Sequence, residues 1–172
     1  MTVPPTVAEI TDKAFDRVFR AEYARVVGIA TRVLGDRSKA EDVAQDAFLA
    51  LHSRHCSEQA WAGGWVCAAA AHAALNVLRA DRRRSRREQL AASPAETIDP
   101  AVAAEQADDG RMLRAALARL PQRAATVLVL RHSGLSYAAV ATAMGVKQGA
   151  VGTMVRRAEL ALRKEVGRAA SQ

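Results

Sequence analysis

Apolar positions recur at intervals of three and four along most of the chain, the period of helices packed on one face. Phe15, Val18, Phe19, Val26, Ile29, Ala30 and Val33 predict a first helix over 12–34, ended by Gly35. A second is expected to open on Ser38, with Glu41 three residues on in the S-x-x-E pattern of a capping box. Val43, Ala47, Phe48 and Leu51 form its core face, and Asp42, Gln45, Asp46, Leu49 and His52 fall on the flanking and opposite face. A third helix begins near Trp61 or Trp65 and continues into a run of arginines. Its 65–78 portion is apolar nearly all round, which predicts the buried centre of its domain.

Farther on, "LRAALARLPQRAATVLVLRH" predicts a helix ending near Leu120 and another started by Pro121 at its first position. The stretch "LSYAAVATAMGVKQGAVGTMVRRA", residues 135–158, carries the clearest motif. Ser136 can cap a short helix that ends at Gly145, whose freedom at positive φ suits a tight turn. Ala141 lies four residues before that glycine and Val151 six after it. A small residue where two helices cross, a glycine at the turn and an apolar anchor beyond are what a helix-turn-helix requires. Val140, Met144, Val146, Met154 and Val155 supply the shared core. Lys147, Gln148, Gly149, Gly152, Thr153 and Arg156 then face a groove, with Arg157 nearby for phosphate.

Charge divides the chain. The 172 residues carry a net charge of +7, which argues for a polyanionic partner. Residues 1–75 are close to neutral, with 8 Lys/Arg against 9 Asp/Glu. Residues 76–90 hold six arginines, Arg79, Arg82, Arg83, Arg84, Arg86 and Arg87, against Asp81 and Glu88. Residues 91–110 contain five acids, no Lys or Arg, and both Pro94 and Pro100, the composition of a linker. Residues 111–172 carry 11 basic residues against Glu159 and Glu165. The expectation is an all-α protein of two small helical domains, 1–90 and 111–172, joined by an acidic linker over 91–110. Filler of Ala, Val, Leu and Arg, with 4% aromatics, agrees with helices rather than sheet.

Two cysteines, Cys56 and Cys67, exclude a disulfide scaffold. With no leader and no long apolar run, the expected location is the cytoplasm. His52, His55, Cys56, Cys67 and His72 do not match common zinc spacings, so neither metal nor other cofactor is expected. No nucleophile–base pair or phosphate loop is evident, and an enzyme is not expected.

Helical domain followed by helix-turn-helix, with these motifs, resembles the extracytoplasmic-function (ECF) sigma factors of the sigma-70 family. "GDRSKAEDVAQDAFLAL" resembles region 2.2, which docks on the coiled coil of the polymerase β′ subunit. "GGWVCAAAAHAALNVLRADRRR" is similar to regions 2.3–2.4, which handle the −10 promoter element. "LARLPQRAATVLVLRHSGLSYAAVATAMGVKQGAVGTMVRRAELALR" resembles region 4, which targets the −35 element. The resemblance implies core RNA polymerase and promoter DNA as partners, through the β′ coiled coil and the β flap, and leaves room for an anti-sigma factor. It implies that Asp42, Gln45, Asp46 and His52, with Phe48 partly inward, meet basic residues of the coiled coil. Trp65, His72, Asn76 and the six arginines would serve the −10 region, and 147–157 the −35 element. The loop over 53–64 would capture an unstacked base. The chain departs from the family pattern at Ala71, His72 and Asn76, where Arg, Asn and Asp are usual, and at Ala150–Met154 in the recognition helix. An autonomous helix-turn-helix regulator is the alternative.

Overall fold

The computed structural model describes residues 7–91 and 103–170, which form seven helices and no strand. They are α1 (Val7–Leu34), α2 (Arg37–Ser53), α3 (Ala62–Ala91), α4 (Ala103–Arg119), α5 (Gln122–His132), α6 (Tyr137–Met144) and α7 (Gln148–Ala170).

Helices α1, α2 and α3 pack together around Val26, Ile29, Val33, Leu51, Val66 and Leu75, all at most 1% exposed. The first helix starts five residues before the expected Asp12; Pro5 is the last sequence element opposing a helix there. Gly35, at φ 69°, ends α1 and turns the chain at once, so the cap of α2 falls on Asp36 and not on Ser38. The extended Asp36 accepts the Lys39 amide on Oδ1 at 3.2 Å. Glu41 accordingly makes no capping box; it accepts from Arg37 Nε at 2.8 Å.

Helices α4 to α7 form the second module around Val127, Leu130, Val140 and Val151, each fully buried. Pro121 sits at the cap of α5 (φ −54°, ψ 143°), one place earlier than expected. Ser136 Oγ accepts the Ala139 amide, and Gly145 closes α6 in the left-handed conformation at φ 62°. Both were read from the motif.

Both ends of the stretch expected as a linker, 91–110, are helical. Ala91 ends α3 and residues 103–110 already belong to α4, while 92–102 lie outside the described residues.

The all-round apolarity of α3 has two causes. One side closes the first module against α1 and α2; the other is covered by α4, α5 and α6. The approach to α6 is close. A Cβ placed on Gly64 would lie 3.5 Å from the Ala143 Cβ and 3.6 Å from its Cα. Polar bonds frame this seam. Arg79 donates from Nε to the Ala118 carbonyl (3.2 Å) and from Nη2 to the Leu120 carbonyl (2.8 Å), and Arg82 donates to the Ala115 carbonyl. Gln122 donates to the His72 carbonyl (3.4 Å), and Arg32 to the His132 carbonyl (3.2 Å). Arg79 thereby caps the Ala118 carbonyl, one of the last four of α4 that the helix itself leaves unpaired, and the Leu120 carbonyl just beyond it.

Candidate polymerase and nucleic-acid surfaces

The acidic face of α2 is exposed as its period demands: Asp42, Gln45 and Asp46 stand at i, i+3 and i+4. Among the described residues no cation pairs with Asp42 or Asp46, in contrast to Glu41 beside Arg37. Leu49 extends the same face by one turn and is 58% exposed. Sequence reasoning placed Leu49 on this side but not among the contact residues; its signal was an aliphatic side chain on a polar face.

Phe48 does not join that surface. It is 2% exposed, with its ring 4.8 Å from Phe19 and 6.3 Å from Phe15. It therefore supports the face from beneath and cannot touch a partner. His52 is half-buried, its ring 4.9 Å from Phe15. Alongside, Phe19 and Tyr23 are each over a third exposed with their tilted rings 5.0 Å apart, an aromatic ledge on α1; the sequence pattern had counted Phe19 among the apolar positions of the helix.

The loop from Arg54 to Trp61 is a succession of tight turns, with His55 at a positive φ of 50°. Trp65 is half-buried, and the Arg54 guanidinium lies 4.8 Å from its ring centroid. One turn earlier, the exposed Trp61 adds an aromatic face beside this loop that sequence reasoning missed.

Along α3 the expected −10 residues divide. His72 and Asn76 are exposed, as are Arg83, Arg86 and Arg87. Partial burial lowers the His72 pKa from its ordinary value, which favours the neutral ring. Arg79 and Arg82 are engaged by the α4 carbonyls. Arg84 binds Asp81 at 2.6 Å, as does Lys39 at 2.7 Å, and the hydrogen bonds from Lys39 and Arg84 hold the Asp81 carboxyl below the usual carboxylate range.

In the second module Val151 is the buried anchor and Ala141 the small residue at the crossing. Lys147, Gln148, Gly149, Thr153, Arg156 and Arg157 are exposed and Gly152 half-exposed. A Cβ at Gly149 or Gly152 would meet nothing within 4 Å, so packing within the chain requires neither glycine. They leave the start of α7 with a low profile.

Among the described residues, no three His, Cys, Asp or Glu side chains come together as a metal-holding group. No described helix is long and apolar enough to cross a membrane.

Fold and surfaces together define a class: a two-module helical protein with a helix-turn-helix in its second module. The sigma-70 region 2 family matches residues 18–84, and the sigma-70, region 4 family matches residues 110–162. The RNA polymerase sigma-H factor of Pseudomonas aeruginosa is 30% identical over 88% of this chain and 86% of its own length. The ECF RNA polymerase sigma factor SigE of Mycolicibacterium smegmatis is 29% identical over 92% of this chain, which spans 64% of that relative. A solved structure of the sigma factor RpoE with the anti-sigma factor NepR, from Bartonella quintana, shares the fold. It aligns at a TM-score of 0.51 and 22% identity over 90% of this chain and 98% of its own. The chain belongs to the sigma-70 family and stands with its ECF sigma factors.

Proposed function

We propose that this chain is a dissociable specificity subunit that binds core RNA polymerase in the cytoplasm and directs it to promoters, with no catalysis of its own. The separation of charge carries the reading. An unpaired acidic face on α2 lies in one helix, and the free arginines of α3 and the basic edge of α7 lie in others. Asp42, Gln45, Asp46 and Leu49 meet basic residues of the polymerase coiled coil, and carboxylates there make charge-assisted bonds. Lys147, Gln148, Thr153 and Arg156 read the −35 element, while Gly149 and Gly152 let the backbone approach the DNA. His72, Asn76, Arg83, Arg86 and Arg87 serve the −10 region, with Trp61 and Trp65 beside the loop that receives the unstacked base.

On this reading α3 cannot offer Arg79 and Arg82 to DNA while α4 holds them, so the modules part on promoter binding. An anti-sigma factor, the partner in the Bartonella complex, fits as a further partner.

Run-off transcription with core polymerase tests this, comparing the native chain with Asp42→Ala/Gln45→Ala. Promoter-dependent transcripts that need the chain and fall with the double variant are expected. DNA binding without polymerase, and no support of initiation, would instead identify an autonomous regulator.

A further inference from the structure

A cleft of about 330 Å³ opens between α3 and the end of α4, and its walls are almost entirely arginine. Arg79, Arg82, Arg83 and Arg86 come from α3, and Ala118 and Arg119 come from the end of α4. Spacings of three and four bring the α3 set to one side of the helix, and Arg119 faces it from the other module.

Compensation for this charge is thin. Arg79 and Arg82 bond backbone carbonyls, which carry partial charge only. Arg119 has Glu165 at 3.7 Å, but Glu165 is held more closely by Arg168 at 2.6 Å. Asp81 is committed to Lys39 and Arg84, away from the cleft. No carboxylate pairs with Arg83 or Arg86 among the described residues. Burial lowers the affinity of Arg82 for its proton, and the like charges of Arg119 and Arg86 lower it further.

We propose that this cleft binds a compact polyphosphate anion, which bridges α3 to α4 and holds the two modules together. Arg79 and Arg82, fixed by the α4 carbonyls, are the preorganised wall. Arg83, Arg86 and Arg119 supply planar donor forks to the phosphate oxygens. No aromatic ring lines the cleft, so a nucleobase has no ring to stack on and the phosphate chain itself is the recognised chemistry. Because Arg119 belongs to the second module, the complete site exists only in the closed arrangement. A ligand that binds only that arrangement shifts the population towards it. The anion therefore opposes the separation that promoter binding demands.

Phosphate oxyanions also come from a DNA backbone, and the two sources are separable. The full-length chain is titrated calorimetrically with sodium tripolyphosphate at fixed ionic strength, and in parallel with a short duplex. Arg119→Gln is expected to weaken tripolyphosphate about tenfold and to leave duplex affinity unchanged. Arg86→Gln weakens both. Glu165→Gln, which releases Arg119, tightens tripolyphosphate roughly threefold, a gain that no loss of folding can mimic. Unchanged tripolyphosphate affinity in both Arg119→Gln and Glu165→Gln would overturn the proposal and place the anion on α3 alone. Equal weakening of duplex and tripolyphosphate by Arg119→Gln would overturn it in favour of a DNA backbone site. Failure of the polymerase reading appears in run-off transcription and leaves this titration interpretable.

Discussion

Gly64 of α3 and Ala143 of α6 meet so closely that a methyl group on Gly64 would already be in van der Waals contact, 3.5 Å from the Ala143 Cβ. The contact joins the helix expected to face the −10 element to the first helix of the helix-turn-helix. The Arg79 bond to the Leu120 carbonyl fastens the same two modules farther along α3. The seam is thus small residues at one end and guanidinium–carbonyl bonds at the other.

Side-chain volume at Gly64 should therefore control the closed arrangement. Gly64→Ala fits the available space and keeps the modules together. Gly64→Leu cannot fit without moving α6, and overpacking of this kind costs about 1–3 kcal/mol. Small-angle scattering is expected to show an enlarged radius of gyration for Gly64→Leu and none for Gly64→Ala. An unchanged radius in both would mean that α6 yields locally and that this contact does not govern the seam.

Much of the second module was legible because its signals are local. Ser136, Gly145 and Val151 each act within a few residues, and each does what its position implied. The cap of α2 went to Asp36, two residues before Ser38, because Gly35 turns the chain at once, which periodicity alone does not show. Residues 103–110 read as linker because the acids and prolines of 91–110 count together in composition, although both prolines, Pro94 and Pro100, precede the start of α4. The covering of α3 by α4–α6 lay beyond sequence reasoning altogether. An apolar stripe states that something must cover it, not which element does. The commitment of Arg79 and Arg82 to carbonyls was hidden for the same reason, since a run of arginines looks alike whether it faces phosphate or a helix end. The roles of the acidic face and the arginines in binding remain those proposed above.

The Cys67 thiol gives the fold an alkaline limit. It is 1% exposed, with Sγ 3.7 Å from Glu22 Oε2, and burial, then the Glu22 charge, push its pKa from 9.0 to about 12. Below pH 9 the thiol is protonated in both folded and unfolded chains, and its contribution is complete. Above that the unfolded thiol ionises first, so stability falls by about 1.4 kcal/mol per pH unit until the native thiol titrates. Urea unfolding between pH 8 and 11 should show this slope, and Cys67→Ala should flatten it by that amount. An identical slope in the variant would assign the alkaline loss to other groups.

Gly149 and Gly152 should behave oppositely in stability and in DNA binding. A Cβ at either position meets nothing, so alanine is accommodated, and at Gly152 it should stabilise α7 by about 1 kcal/mol. The gain at Gly149, in the first turn, is smaller. The double variant Gly149→Ala/Gly152→Ala is expected to raise the urea midpoint. It should also weaken binding to a −35 duplex about tenfold in fluorescence anisotropy, through two methyl groups where the groove surface is flat. A rise in both quantities would show that the glycines serve no close approach.

Leu49 offers the sharpest test of the α2 face, because fold and function separate there. Its side chain is 58% exposed, so Leu49→Ala should change stability by less than about 0.5 kcal/mol. On the binding surface the same side chain continues the line of Asp42, Gln45 and Asp46 by one turn. An apolar side chain beside two unpaired carboxylates is the arrangement of an interface, where burial of the leucine against a partner adds to the charge-assisted bonds. Removing it should weaken binding to core polymerase about tenfold, a loss near 1.4 kcal/mol. Surface plasmon resonance with immobilised core enzyme measures this, and raising the salt then tells the two contributions apart. Asp46→Asn should lose most of its effect at high ionic strength, while Leu49→Ala should keep its own, because screening acts on charge and not on buried apolar area. A salt-dependent loss in Leu49→Ala would mean that the leucine only positions the acids, and no change at all would move the polymerase contact away from this turn of α2.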